Sequence, residues 1–163
     1  MALDKGYDGR GLYRSIYVQL WEDVQFKKFS PDEKLVFLNL RTSPFSNIIA
    51  LFPFYVEAIE CQTGISRENI RVALKNLSAA GWIEIQSNLV WIKKGLKFDP
   101  NISMANTNHL KGIIRAILSL PKFQVVRDFI DFYHIQMPYP IPSQKPSQGP
   151  FRNPIPISNK DKG

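Results

Sequence analysis

The sequence predicts an α+β fold that is mainly helical. Apolar residues recur at helical spacing in several segments between residues 30 and 136. In contrast, residues 83–85 alternate apolar and polar residues and residues 89–92 form a short apolar run, and both patterns are typical of strands. The chain has 163 residues, of which 44% are hydrophobic, so it has enough apolar material for one packed domain with an added unit or a tail.

The first clear helix lies in the segment SPDEKLVFLNL, residues 30–40. Ser30 is a favourable N-cap, Pro31 suits the first helical position, and Glu33 completes a capping box with Ser30. Apolar residues at helical spacing follow, and the Thr-Ser-Pro run at 42–44 ends the helix.

A short strand and a second helix are predicted next. The segment 47–54 is rich in β-prone apolar residues and is stopped by Pro53. The following residues predict a helix from Phe54 to Gln62, and Gly64 provides the left-handed position that commonly ends a helix.

The segment TGISRENIRVALKNLSAAGWIEI, residues 63–85, predicts a third helix directly after this turn. Ser66 is its N-cap, and Ile65 and Ile70 occupy the two positions of a hydrophobic staple. Apolar residues then recur on one face of the helix, which ends at Ala79-Ala80-Gly81. The predicted core residues on this face are Ile70, Ala73, Leu74 and Leu77.

A β-hairpin follows the third helix. Ile83 and Ile85 alternate with polar Glu84, the turn is Gln86-Ser87-Asn88, and residues 89–92 form the return strand. The resulting order is helix, short strand, helix, tight turn, helix and hairpin. This order predicts a winged helix-turn-helix, in which the helix after the turn enters the major groove and the hairpin is the wing.

The remaining chain predicts two more helices and a tail. Helices over 104–121 and 122–136 are expected to pack as a helical hairpin against the preceding domain. Beyond them, dense prolines and polar residues predict a disordered segment. The predicted organisation is a flexible N-terminus (1–14), a winged-helix domain (15–100), a helical extension (101–137) and a proline-rich tail (138–163).

The charge of the chain favours an acidic partner. It carries 21 Lys and Arg against 14 Asp and Glu, a net charge of +7, which favours nucleic acid first and an anionic membrane surface second. Residues 30–100 nevertheless carry eight basic and seven acidic side chains. A DNA-binding surface must therefore come from segregation of charge, and we expect the acidic residues of the first two helices to lie away from the third.

The third helix carries a basic face opposite its apolar stripe. Arg67, Arg71 and Lys75 follow at four-residue spacing. Arginine can bridge guanine and asparagine can bridge adenine in the major groove, while lysine mostly contacts phosphate. The alternative for the same pattern is a solvated helix face. The candidate DNA-binding residues on this helix are Ser66, Arg67, Asn69, Arg71, Lys75 and Asn76.

The hairpin supplies four further candidate residues. Ser87 and Asn88 form its tip, and Lys93 and Lys94 follow its second strand. We expect these residues to contact the DNA backbone or the minor groove. The alternative is a charged strand edge that prevents aggregation. Trp82 and Trp91, which flank the hairpin, are predicted to brace the core rather than to stack on bases.

No pattern in the sequence indicates an enzyme, a metal site or a cofactor. Cys61 is predicted to be a small core residue, and His109 and His134 lack zinc-ligand spacing. No phosphate-binding loop is present. The single cysteine and the absence of a long apolar run favour a cytoplasmic protein without a membrane span.

Several ordered blocks of the chain resemble phage replisome-organiser proteins, whose N-terminal winged-helix domain is like that of the bacterial primosome protein DnaD. The blocks are LWEDVQFKKFSPDEKLVFLNLRTSPFSN, TGISRENIRVALKNLSAAGWIEI, LVWIKKGLKFDPN and HLKGIIRAILSLP with FIDFYH, and the resemblance runs from about Tyr17 to Tyr133. The sequence differs from the family where Ala50 replaces a frequent glycine. It also has the proline-rich segment where DnaD continues into a second domain that contacts single-stranded DNA.

This resemblance implies a replication initiator that binds double-stranded origin DNA in the cytoplasm of a bacterial host cell. It also implies a helicase loader or another replisome protein as partner, and it leaves open a homo-oligomer. The residues themselves support the winged-helix prediction but do not separate replication from two alternatives. These are a winged-helix transcriptional regulator and a protein-interaction module that binds no DNA.

Overall fold

The computed structural model describes residues 14–93, 95–96 and 99–138. About half of these residues are helical, which confirms the predicted α+β class. A 3-10 helix at Val18–Glu22 comes first. The elements after it are α1 (Val24–Lys28), α2 (Pro31–Thr42), β1 (Leu51–Pro53), α3 (Val56–Thr63), α4 (Arg67–Ala79), β2 (Ile83–Gln86), β3 (Leu89–Ile92), α5 (Thr107–Leu118) and α6 (Gln124–Phe132). The predictions for 1–13 and for 139–163 lie outside the described residues.

The three strands form one antiparallel sheet in the order β1-β3-β2. β2 and β3 are joined by the two-residue loop Ser87-Asn88, and Gln86 pairs with Leu89 across it. Ser87 has a φ of 55°, the left-handed conformation that tight hairpin loops require. β3 is the central strand, and β1 pairs with the edge of β3 that lies opposite β2. Leu51 of β1 lies opposite Trp91 of β3.

The predicted helix boundaries around α2 and α4 are confirmed. The Ser30 side chain accepts a hydrogen bond from the Glu33 backbone N–H at 3.2 Å, and Glu33 accepts from the Ser30 backbone N–H at 2.9 Å, which is the capping box. Gly64 ends α3 with a φ of 74°. Ser66 caps α4 by accepting from the backbone N–H of Asn69 at 3.3 Å.

The sheet separates two apolar clusters. Because side chains alternate along a strand, Val90 and Ile92 face the cluster formed with α2, α3 and α4, while Leu89 and Trp91 face the cluster formed with α5 and α6. Every residue of β3 is therefore buried. The four predicted core residues of α4 are buried as well, and apolar residues of α5 and α6 share the second cluster with the sheet.

The N-terminal segment adds a layer that the sequence patterns did not indicate. Phe26 of α1 is completely buried and stacks on Trp82, with the ring centroids 5.5 Å apart. The Trp82 indole N–H donates to the Gln25 side-chain oxygen at 2.6 Å. Trp82 and the fully buried Trp91 both brace the core, as predicted.

Two predictions are wrong in detail. Cys61 is exposed rather than buried, because it lies two residues beyond the buried Ile59 and so points to the opposite side of α3. The C-terminal helices are also shorter than predicted. Asn106 caps α5 by accepting from two backbone N–H groups, which places residues 104–106 before the helix.

Among the helices of the described ranges, none combines the length and the hydropathy that a membrane crossing requires.

Candidate nucleic-acid interface

The candidate interface is centred on α4, which two neighbouring helices hold in place. Ile70, Ala73, Leu74 and Leu77 anchor its inner face in the cluster shared with α2 and α3. Ile65 is buried in the same cluster and fixes how the chain enters the helix after Gly64. The packing of the inner face therefore fixes the position of the α4 backbone and leaves the outer face of the helix exposed.

Arg71 and Lys75 lie exposed on this outer face. Among the described residues, no carboxylate lies within ion-pair distance of either side chain. Val72, which is 53% exposed, lies next to Arg71, and Glu68 lies near them on the same face. The sequence prediction did not include Val72. Its position outside the apolar stripe of α4 nevertheless indicated that this apolar side chain would be exposed.

Arg67 has a different environment, although it starts the same basic row. Its guanidinium donates to the Glu60 carboxylate at 2.5 Å and contacts Glu57 at 3.4 Å. The hydrogen bond and charge of Glu60 raise the pKa of Arg67 above its usual value. Since the Arg67 side chain is still 50% exposed, solvent screens this pair, and another anion can replace Glu60 beside the guanidinium.

The two candidate asparagines face α2 rather than the outer face of α4. The Asn69 side-chain amide donates to Asp32 at 3.2 Å, and the Asn76 amide donates to Glu33 at 2.6 Å. The hydrogen bond from Asn76 is the main reason why the pKa of Glu33 lies below its ordinary value. In this structure both amides therefore connect α4 to the first turn of α2.

The expectation that the acidic residues lie away from α4 is wrong. Four carboxylates contact its two edges, because α2 and α3 both pack beside it and direct their first-turn and outer-face acids toward it. These residues are Asp32 and Glu33 of α2, and Glu57 and Glu60 of α3. Only the outer face, with Arg71 and Lys75, stays clear of these contacts among the described residues.

The tip of the hairpin is exposed, whereas Lys93 at the end of its second strand is engaged within the fold. Ser87 and Asn88 are exposed, and the Asn88 carbonyl accepts from the Phe54 backbone N–H at 2.8 Å. Lys93 is half-buried, pairs with Glu84, and places its ammonium group 3.7 Å from the centre of the Trp91 ring. The charge of Lys93 is thus already compensated within the fold, and Lys94 lies outside the described residues.

Within the described ranges, no three His, Cys, Asp or Glu side chains are grouped as a metal ion would require. The His109 ring nitrogen Nδ1 accepts from the Ser103 backbone N–H at 3.0 Å, which is a local structural contact at the start of α5.

Comparison of the sequence and the fold with protein-family models, curated proteins and solved structures finds no match. The family resemblance therefore stays an expectation from the sequence.

Proposed function

We propose that the chain binds double-stranded DNA as a winged helix-turn-helix protein, with α4 in the major groove. One observation supports this most strongly. Arg71 and Lys75 are exposed on the outer face of a capped helix that follows a tight turn at Gly64, and no carboxylate of the described residues lies within ion-pair distance of either side chain. A helix diameter with side chains of roughly 10–12 Å fits the major groove, which is about 12 Å wide.

The residues of this face have separate roles in the proposal. Arg71 donates to guanine or to phosphate, Lys75 contacts phosphate, and Val72 contacts a thymine methyl group. At the hairpin tip, Ser87 and Asn88 contact the DNA backbone. Arg67 joins the interface only when phosphate replaces Glu57 and Glu60.

The biological task in this proposal comes from the sequence resemblance alone. We propose that DNA binding serves the initiation of phage or prophage replication, at an origin, without enzymatic activity in this chain. A helicase loader or another replisome protein then acts with it, and binding of several copies at repeated sites suits such a task.

The proposal is tested by titrating a labelled duplex at several salt concentrations. The double variant Arg71→Ala/Lys75→Ala is compared with Lys111→Ala/Arg115→Ala, which removes two exposed charges at the same spacing on α5, across the sheet. We expect the α4 variant to lose about 10- to 100-fold in affinity and to lower the salt slope by about 1–2. The α5 variant should bind like the wild type.

Equal losses of duplex affinity in the two double variants would mean that DNA binding depends on the total charge of the protein and not on α4. Unchanged affinity in the α4 variant would reject α4 as the contact helix. Both results are interpretable only if the variants fold, so the far-ultraviolet circular dichroism and melting temperature of each variant are measured first.

A second candidate function is supported by the four carboxylates beside α4. Asp32, Glu33, Glu57 and Glu60 make the surface around the basic face mixed in charge, and such a surface suits a protein partner as well as DNA. Absence of binding to any duplex or single strand at about 10 mM salt, where the Debye length is roughly 30 Å, would favour this protein-interaction module.

A further inference from the structure

A cleft of about 750 Å³ lies between the N-terminal segment and the end of β3. Its volume is in the range of about 300–1,000 Å³ that is typical of ligand-binding clefts. Apolar side chains from the 3-10 helix, α2, the turn before β2 and the end of β3 line it, namely Leu20, Phe37, Trp82 and Ile92. The residues of the outer face of α4 do not contribute to its wall, so the cleft is separate from the proposed DNA contact.

Arg41 brings a charge into this apolar cleft. It lies near the end of α2, lines the cleft and is only 9% exposed. Burial lowers the pKa of its guanidinium, although the more distant Asp99 acts in the opposite direction. Among the described residues, no carboxylate lies within ion-pair distance of Arg41.

The other charged residues of the cleft wall are already engaged. The Asp23 carboxylate caps α1 by accepting from the backbone N–H groups of Gln25 and Phe26 at 2.8 and 2.9 Å. Lys93 pairs with Glu84. A largely buried charge with no carboxylate at ion-pair distance is costly, so Arg41 is the charged side chain of this cleft that an anion would stabilise most.

Exposed apolar residues lie at the rim of the cleft and on the neighbouring 3-10 helix. Ile16 and Tyr17 form part of its rim. Val18 and Trp21 follow on the 3-10 helix and are 78% and 51% exposed. Exposed apolar residues beside a cleft are typical of a protein-binding surface.

We propose that this cleft binds a segment of a second protein in which an Asp or Glu side chain stands beside bulky apolar residues. The carboxylate pairs with Arg41 in a forked hydrogen bond, and the apolar side chains pack on Phe37, Trp82 and the exposed rim. This site lies outside the DNA-binding proposal and does not depend on it.

Charge and chemistry favour this occupant over DNA and over residues 139–163. A DNA duplex presents phosphates on a polar backbone and keeps its apolar base faces stacked inside the helix, so it cannot place them against Phe37 and Trp82 in a cleft. The proline-rich segment of the same chain, residues 139–163, carries Lys145, Arg152, Lys160 and Lys162 against a single Asp161, so its charge has the wrong sign for Arg41.

The test uses the full-length protein and a panel of acetylated, amidated tetrapeptides. Each peptide contains one Glu or Asp among Leu, Phe and Tyr residues, and each has a twin with Gln or Asn. Binding is followed by the NMR signals of the Trp82 indole N–H and the Arg41 side chain. We expect at least one acidic peptide to bind at least 10-fold more tightly than its neutral twin.

Two variants localise the binding. Arg41→Gln is expected to abolish the preference for the acidic twin, and Ile16→Ser, at the exposed rim, is expected to weaken both twins by several-fold. Ile16→Ser keeps the test valid if Arg41→Gln does not fold. Lys111→Gln, on α5, is the control and should not change binding. Failure of the whole panel to bind, or equal binding of acidic and neutral twins, would overturn the proposal.

Discussion

Arg67 and Arg71 lie one turn apart on α4 and have opposite environments. Arg67 is held by Glu60 and Glu57, whereas Arg71 has no carboxylate within ion-pair distance among the described residues. The four-residue spacing makes the two arginines equivalent on a helix surface, but α3 packs along only one edge of α4. The difference shows that the neighbouring helices, and not the spacing, decide which basic side chain is available to a ligand.

The opposite edge of α4 shows the same principle. Asn69 and Asn76 are oriented by Asp32 and Glu33 on α2, so their amides stabilise the contact of two helices. The outer face between the two edges is the part of α4 that is left for a partner, and it is narrower than the sequence indicates. The four predictions that follow test this division, beginning with the largest effect.

The two arginines should respond differently when each is replaced alone. Arg71→Ala is expected to weaken duplex binding by about 10- to 100-fold, because a bidentate contact is worth roughly 1–3 kcal/mol. Arg67→Ala should change affinity by less than about 3-fold, since its pair with Glu60 offsets the loss. Fluorescence anisotropy with one duplex and one buffer gives both numbers. Equal losses would contradict the division of the helix.

Removal of the carboxylates should make Arg67 available. The double variant Glu57→Gln/Glu60→Gln is expected to bind duplex about 3- to 10-fold more tightly at low salt, because two repulsive charges are lost and Arg67 is released. The gain should shrink at high salt and should largely disappear when Arg67→Ala is added. Gln substitution of Asp128 and Asp131 on α6 is the matched control and is expected to have a much smaller effect.

Asn76→Ala should affect stability and leave DNA binding unchanged. Loss of its hydrogen bond to Glu33 is expected to lower the free energy of unfolding by at most about 1 kcal/mol at pH 7. Because the hydrogen bond lowers the pKa of Glu33, its contribution is fully present above the ordinary value of 4.5 and is lost as pH falls through the lowered pKa. Urea unfolding of both proteins between pH 3 and 7 measures this.

A difference in stability between wild type and Asn76→Ala that does not change with pH would show that the carboxylate is not involved. A loss of duplex affinity in a folded Asn76→Ala protein would instead show that the amide contacts DNA, as the sequence pattern predicts.

The smallest effect concerns Val72. Replacing thymine by uracil in the bound duplex removes one methyl group, which should weaken binding by about 2- to 3-fold if Val72 packs on it. Val72→Ala should bind the two duplexes with nearly equal affinity. A thymine preference that persists in Val72→Ala would assign the methyl contact to another residue.

Local signals in the sequence predicted local structure well. The caps at Ser30 and Ser66 and the turn at Gly64 depend on contacts between residues at most three or four positions apart, so they are visible in the chain itself. The apolar stripe of α4 and the hairpin follow from the two side-chain periods of helix and strand.

Contacts between distant segments could not be predicted in this way. Gln25 and Trp82 are 57 residues apart, and the helix that carries Gln25 has only five residues, too few to show a period. The partner of Arg67 likewise depends on how α3 packs beside α4. For the candidate interface, the sequence therefore indicated which helix to test but not which of its polar side chains contact carboxylates of the neighbouring helices.

The central claim is that the outer face of α4 contacts DNA. NMR measurement of backbone amide shifts in this 18.7 kDa protein, during titration with a short duplex, locates the contact residue by residue. We predict the largest changes at Arg71, Val72 and Lys75, smaller changes at the hairpin tip, and none on α5. Maximal changes on α5 or α6, with α4 unaffected by saturating duplex, would contradict the claim.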